Sequence, residues 1–189
     1  MNLHNPAITI TDPQEALNLL KEGNARYVAG NGIARDTDAN DRDATKASQH
    51  PFAAIVTCAD SRCSPEIYFD QKIGDIFVLR NAGNIADDTV IGSLEFAVAA
   101  LKVSMVVVVG HTQCGAVHNA AAGTSGLPEK LQNILDGIRS ELEPNPEKEP
   151  SVDVNVANQV AKLKENVVIS GVPIYGAKYN IETGEVIFA

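Results

Sequence analysis

The apolar positions of this chain fall into two periods. Residues 51–58 (PFAAIVTC) and 103–109 (VSMVVVV) are near-continuous apolar runs, and 76–79 (IFVL) is a shorter one. Runs of this length, rich in β-branched residues, predict strands covered on both faces, as in a parallel sheet. Residues 89–101 instead place Ile91, Leu94, Val98 and Leu101 on one side at helical spacing. Further helices are predicted over 128–140 and 154–164, and two short strands over 174–178 and 185–188 flank a turn at Thr183 and Gly184. Near the N-terminus, Asp12, Pro13 and Glu15 read as an N-cap, a first-turn proline and a capping-box acid. Leu17, Leu20, Asn24 and Tyr27 give that helix a mostly apolar face, and Gly30, Asn31 and Gly32 end it. Residues 33–50 are polar and without period, which predicts a loop. The stretch 141–150 (ELEPNPEKEP) predicts an exposed acidic, proline-rich loop. Alternating strands and helices predict one α/β domain across residues 1–189: a mainly parallel central sheet flanked by helices, with an N-terminal helical arm over 1–32.

Composition narrows the class of function. The 189 residues are 44% hydrophobic and 21% charged, ordinary for a globular protein with a core. A formal net charge of -9 argues against nucleic acid or an anionic membrane as partner. No run reaches the ~18–20 apolar residues of a membrane span. The opening MNLHNPAITI lacks a basic start followed by an apolar stretch, so a cytoplasmic location is expected. Three cysteines are too few for a disulfide framework. In a reducing compartment, cysteines accompanied by a histidine point to metal binding or reactivity.

Two short segments hold the chemistry: CADSR at 58–62 and HTQCG at 111–115. Cys58, His111 and Cys114 supply two thiolates and one imidazole, a set that suits zinc. Three protein ligands on a tetrahedral ion leave one position open, the mark of a catalytic rather than a structural site. Cys58 ends the first predicted strand and His111 follows the third. In parallel sheets, sites form outside such carboxyl ends. Asp60 and Arg62 stand beside the first ligand, and the set points to a metal-bound water used as nucleophile. An extended chain through 58–62 would put the side chains of Cys58, Asp60 and Arg62 on one side.

On these motifs the chain resembles the β-class carbonic anhydrases. That family's pattern is C-x-D-x-R followed later by H-x-x-C, and both are met. LLKEGNARYVAG, QHPFAAIVTCADSR, FVLRNAGN, GSLEFAV, VVVVGHTQCGAV and TGEVIF follow in the family's order, so the resemblance covers nearly all of the chain. It implies zinc, one ion per chain, on Cys58, His111 and Cys114, and reversible hydration of carbon dioxide to bicarbonate by zinc-bound hydroxide. Asp60 would accept a hydrogen bond from the hydroxide, and Arg62 would keep Asp60 ionised and off the metal. Gln49 resembles the family's amide that donates to the substrate oxygen. Phe77, Ala82 and Phe96 match positions lining an apolar pocket, and the Gly115 N–H is a further candidate donor.

The match has departures. Cys63 stands where relatives commonly carry valine and is expected to be a small buried hydrophobe. Arg80 matches an arginine of a regulatory bicarbonate pocket in some members. The chain has no tryptophan to complete that pocket, so regulation by that route is not expected. The resemblance also implies a homodimer or a higher even oligomer, with the N-terminal helix laid over the partner and the pocket at the subunit boundary. Two other readings stay open at this level: hydrolysis of carbonyl sulfide or carbon disulfide on the same scaffold, and a non-catalytic zinc module with its fourth coordination position filled.

Overall fold

A computed structural model describes residues 9–33, 39–142 and 152–189. The expected acidic loop at 141–150 lies almost wholly outside them. Four parallel strands carry the molecule: β1 (Ala53–Cys58), β2 (Ile76–Asn81), β3 (Met105–His111) and β4 (Ile174–Tyr179). A fifth, β5 (Val186–Phe188), runs antiparallel to β4, and the order across the sheet is β2-β1-β3-β4-β5. Every residue of β1 and β3 is buried, because helices cover both faces.

Alternation along the strands sorts the core into two layers. Ala54, Val56, Val106 and Val108 face α4 (Asp88–Ala99) and α7 (Val152–Lys164), packing on Val90, Leu94, Val156 and Leu163. Ala53, Ile55, Met105, Val107 and Val109 face α1 (Pro13–Val28) and the short α3 (Pro65–Tyr68), packing on Leu17, Leu20, Tyr68 and Phe69. Leu20, Leu94 and Leu163 are fully buried, and each contributes about 1.5–3 kcal/mol of apolar burial. A satellite cluster joins α5 (Gly115–Ala121) to α6 (Glu129–Glu141) through Ala120, Leu135 and Ile138.

Local signals explain the ends of α1. The Asp12 side chain accepts from the Gln14 N–H at 2.9 Å and Pro13 opens the helix. Gly30, at φ 71, turns the chain after it. The helix packs on its own chain. Its apolar stripe is buried there, and buried Asn24 donates to Tyr68 O and Gly184 O, both at 2.9 Å, while accepting from Val186 N. Gly23 permits this seat, since a Cβ there would stand 1.7 Å from Phe69 O.

Two expectations need correction. The span 33–50 is not all loop: α2 occupies Ala39–Thr45. It buries no residue, so no apolar period betrays it, and an ion pair of 3.0 Å from Lys72 to Asp41 ties it down. The chain is also not extended through 58–62. The strand ends at Cys58, and Cys63 N donates to Asp60 O at 2.9 Å, closing a tight turn. Aspartate and serine favour that turn because the Asp60 side chain captures the Arg62 N–H.

Candidate metal centre

The strand order reverses between β1 and β3, since β2 lies outside β1 and β4 outside β3. The carboxyl ends at that switch point form the crevice where open α/β sheets bind ligands. Cys58 is the last residue of β1, His111 the last of β3, and Cys114 caps α5 immediately beyond. Cys58 continues the alternation of the α4–α7 face and His111 that of the α1–α3 face. The two ligand candidates therefore reach past the strand ends from opposite faces and meet beyond the edge.

All three are buried, with their ligand atoms within 4.8 Å of one another. The two Sγ atoms are 3.9 Å apart. Two sulfurs on one tetrahedral zinc, each at ~2.3 Å, stand about 3.8 Å apart. His111 Nδ1 lies 2.9 Å from the Thr112 carbonyl, so it carries the proton and donates, leaving Nε2 with a bare lone pair. That Nε2 is buried and has no hydrogen-bond partner among the described residues. A buried acceptor of this kind is costly unless something claims it. A cation held with the two sulfurs fits.

The surroundings favour a thiolate at Cys58. Backbone N–H groups of Gly83 and Asp60 point to the Cys58 sulfur, and those of Val117 and Ala116, at the start of α5, point to that of Cys114. The two thiols share a proton: the hydrogen bond from Cys114 pulls Cys58 down to about 4 against the opposing effect of burial, and Cys114 is pushed up. Burial disfavours a charged His111, while the neighbouring Cys58 and Cys63 sulfurs favour it and raise the imidazole to about 10, so a proton competes with a cation for the Nε2 lone pair. A divalent cation replaces such protons when it binds.

Asp60 sits at the rim. Arg62 holds it with a two-pronged grip, Nε to Oδ1 at 2.9 Å and Nη2 to Oδ2 at 2.7 Å, and the Arg62 N–H adds a third bond at 3.0 Å. This side-chain grip keeps the carboxyl well below the usual carboxylate range, with burial opposing. Asp60 Oδ2 is 4.0 Å from His111 Nε2, the same atom that lacks a partner.

The other candidates sit less tightly. Phe77 and Phe96 come together with ring centroids 6.4 Å apart, on β2 and α4, but Phe96 is 51% exposed. Ala82 begins the single-turn helix 82–84 after β2 and is half-buried. Gly115 opens α5 and is exposed, as is Gln49 before β1. Cys63 is fully buried in the α1–α3 layer and does not belong to the ligand cluster. Arg80 does not project freely: it donates to the carbonyls of Cys58 and Asp60. A groove of about 590 Å³ between α7 and the β4–β5 hairpin contains none of these residues.

Sequence reasoning missed the frame behind the ligands. Asn155 donates to Gly83 O at 2.9 Å and Gln159 accepts from Ala86 N at 2.8 Å, so two buried amides of α7 hold both ends of the segment that faces Cys58. Polar residues four apart on an otherwise apolar helix face were the available signal. Thr112, which orients His111, acts through its carbonyl and leaves no signal in residue type.

The comparisons with known proteins agree with this geometry. The family model described as carbonic anhydrase matches residues 53–186. Carbonic anhydrase 2 of Mycobacterium tuberculosis is 38% identical, covering 94% of this chain and 93% of its own. Carbonic anhydrase of Synechocystis is 31% identical over 74% of this chain and 60% of its own. Among solved structures, a tetrameric β-carbonic anhydrase of Sordaria macrospora superimposes with a TM-score of 0.68 at 26% identity, covering 93% of this chain and 96% of that one. The Coccomyxa β-carbonic anhydrase, at 24% identity and TM-score 0.71 over 94% of this chain and 86% of that one, shares the fold. With the reversed strand order, the two-cysteine, one-histidine cluster and these matches in hand, the chain is an enzyme of the β-class carbonic anhydrase family.

Proposed function

We propose that this chain catalyses the reversible hydration of carbon dioxide to bicarbonate and a proton, with one zinc ion held by Cys58, His111 and Cys114. The observation that carries this reading is the orphaned, buried His111 Nε2 converging with two thiols whose sulfurs are 3.9 Å apart. When bound there, zinc supplies the Lewis acidity that makes water a usable nucleophile near neutral pH.

The chain's own groups do the rest. Asp60, ionised, is an acceptor only. Its Oδ2 faces the ligand cluster and takes a hydrogen bond from the attacking water, orienting it. Arg62 occupies both carboxylate oxygens from the solvent side, which keeps the charge in place and restrains Asp60 from swinging onto the metal as a fourth ligand. The Gly115 N–H, at the start of α5, would donate to a developing oxyanion. Gln49 supplies a side-chain amide to the substrate oxygen, and Phe77, Ala82 and Phe96 offer a nonpolar gas an apolar surface.

That surface is unfinished in one chain, since Phe96 is half exposed and Gln49 is open to solvent. We assign its completion to a second copy, in a homodimer or higher even oligomer. Three free cysteines and no helix among the described residues long and apolar enough to cross a membrane suit a cytoplasmic enzyme.

Metal analysis together with stopped-flow hydration of carbon dioxide tests the reading, and the same preparation is offered carbonyl sulfide and carbon disulfide. Stoichiometric zinc with rapid hydration of carbon dioxide is the expected result. Turnover of the sulfur compounds alone, or bound zinc with no turnover of any of the three, would replace it.

A further inference from the structure

Arg80 stands at an edge of the site that neither the ligand cluster nor the Asp60–Arg62 pair uses. It is exposed on β2, in register with Thr57 of β1. Its side chain reaches across the end of β1, where Nε donates to Cys58 O at 3.2 Å and Nη2 donates to Asp60 O at 2.7 Å. These two carbonyls bracket the three residues that carry the chain from the ligand to the orienting acid.

Other bonds hold the side chain and the far end of that segment. The parallel ladder ends at Cys58, Ala59 N donates to Asn81 O at 2.8 Å, and the turn that follows is closed by the bond from Cys63 N to Asp60 O and by the Arg62 N–H on Asp60 Oδ1. Within 58–60, among the described residues, only Arg80 reaches the carbonyls from β2. The Asp60 carbonyl thus accepts twice, from the turn and from Arg80. A planar fork that grips two carbonyls two residues apart fixes the tilt of the peptides between them, which a single point charge does not.

We propose that Arg80 is a positioning residue for carbon dioxide hydration. By holding the carbonyls of Cys58 and Asp60 it sets the direction in which the Asp60 side chain leaves the backbone, and so the aim of Oδ2 at the cluster. Arg62 governs the charge and rotamer of the carboxylate, and Arg80 governs the backbone beneath it. The inference rests on the function proposed above.

The test uses the full chain loaded with zinc and compares Arg80→Gln and Arg80→Lys, each alone and combined with Asp60→Asn. Zinc content and melting temperature stay unchanged. In Arg80→Gln, kcat falls by roughly tenfold to a hundredfold, the scale of a small misplacement of a reacting group. Arg80→Lys, which reaches one carbonyl but not both, falls between. Amide hydrogen exchange over residues 59–63 speeds up in Arg80→Gln and is unaltered in the rest of the chain. In the Asp60→Asn background the same change costs less than about twofold, because a group that acts through Asp60 has nothing left to position. Unchanged kcat and exchange would overturn the proposal. So would the full loss persisting in the Asp60→Asn background, or loss of zinc from both variants. A wild-type chain that does not hydrate carbon dioxide would instead sink the functional reading, while the exchange measurement would still report whether Arg80 holds the turn.

Discussion

Asp60 is pulled two ways. Arg62 occupies both of its oxygens, and yet Oδ2 lies 4.0 Å from the unclaimed His111 Nε2. In the first state it would orient water, as proposed above; in the second it would close the site. The grip of Arg62 favours the first near neutral pH. Asp60→Asn is expected to retain zinc and to lose about a hundredfold or more in hydration rate, since an amide can donate in the wrong sense; stopped-flow assays across pH check this, and wild-type turnover would remove Asp60 from the mechanism. Cys114→Ser is expected to abolish stoichiometric zinc, read by elemental analysis. Cys63→Val, a swap of similar volume in the α1–α3 layer, is expected to keep zinc and to hold activity within a few-fold. Acid should also strip the metal. Cys114 and His111 both have raised affinity for protons, and those protons must leave before zinc binds. Zinc affinity is therefore expected to rise with pH up to about 10, where the His111 proton is lost, with proton release on binding. Chelator competition measures the first and an unbuffered titration the second.

At the scale of elements, α7 does more than cover the sheet. It lies so close to β3 that a Cβ on Gly110 would stand 2.5 Å from a Val152 methyl and 2.6 Å from one of Val156. Gly110 immediately precedes His111, so the packing of this helix sets the height at which the imidazole leaves the strand. Gly110→Val is expected to destabilise the fold by about 1–3 kcal/mol and to weaken zinc binding, read by thermal melting and metal content. The elements that sequence patterns located, β1, β3, α4 and α7, are those with a buried face. A buried face imposes a period, and a period can be read. Of the elements they did not locate, α2 and the turn at 60–63 bury no apolar stripe, and α3, which buries Pro65 and Tyr68, is too short to show a period. The first two take their shape from single contacts: the ion pair from Lys72 to Asp41, and the Arg62 N–H captured by Asp60. No window of residue types announces such a contact.

For the whole molecule, the strand order β2-β1-β3-β4 has the decisive consequence. It makes β1 and β3 neighbours, and so brings together ligand candidates more than fifty residues apart in the chain. The β2 edge and the adjoining face of α4 remain the least finished part of the surface, with Phe77 half-buried and Phe96 half exposed. If a second copy covers this face, Phe96→Asp is expected to shift the protein toward monomers in light scattering and to lower turnover with zinc retained. A variant that keeps both its mass and its activity would locate the subunit contact elsewhere.

Residue types and their spacing alone determined the alternating α/β class, the boundaries of the buried strands to within about two residues, and the identity of the three ligand candidates. Each of these rests on a local property: a period of burial, or a donor atom that few residue types possess. Tertiary structure decided everything that depends on direction. It placed Cys58 and His111 on opposite faces of adjacent strand ends, turned Asp60 back toward Arg62 instead of along the strand, and fitted the Asn155 and Gln159 amides behind the 83–86 segment. It also left Cys63 in the core beside the cluster and outside it. The physical reason is that aim and distance arise from contacts between segments far apart in sequence, which no local pattern encodes.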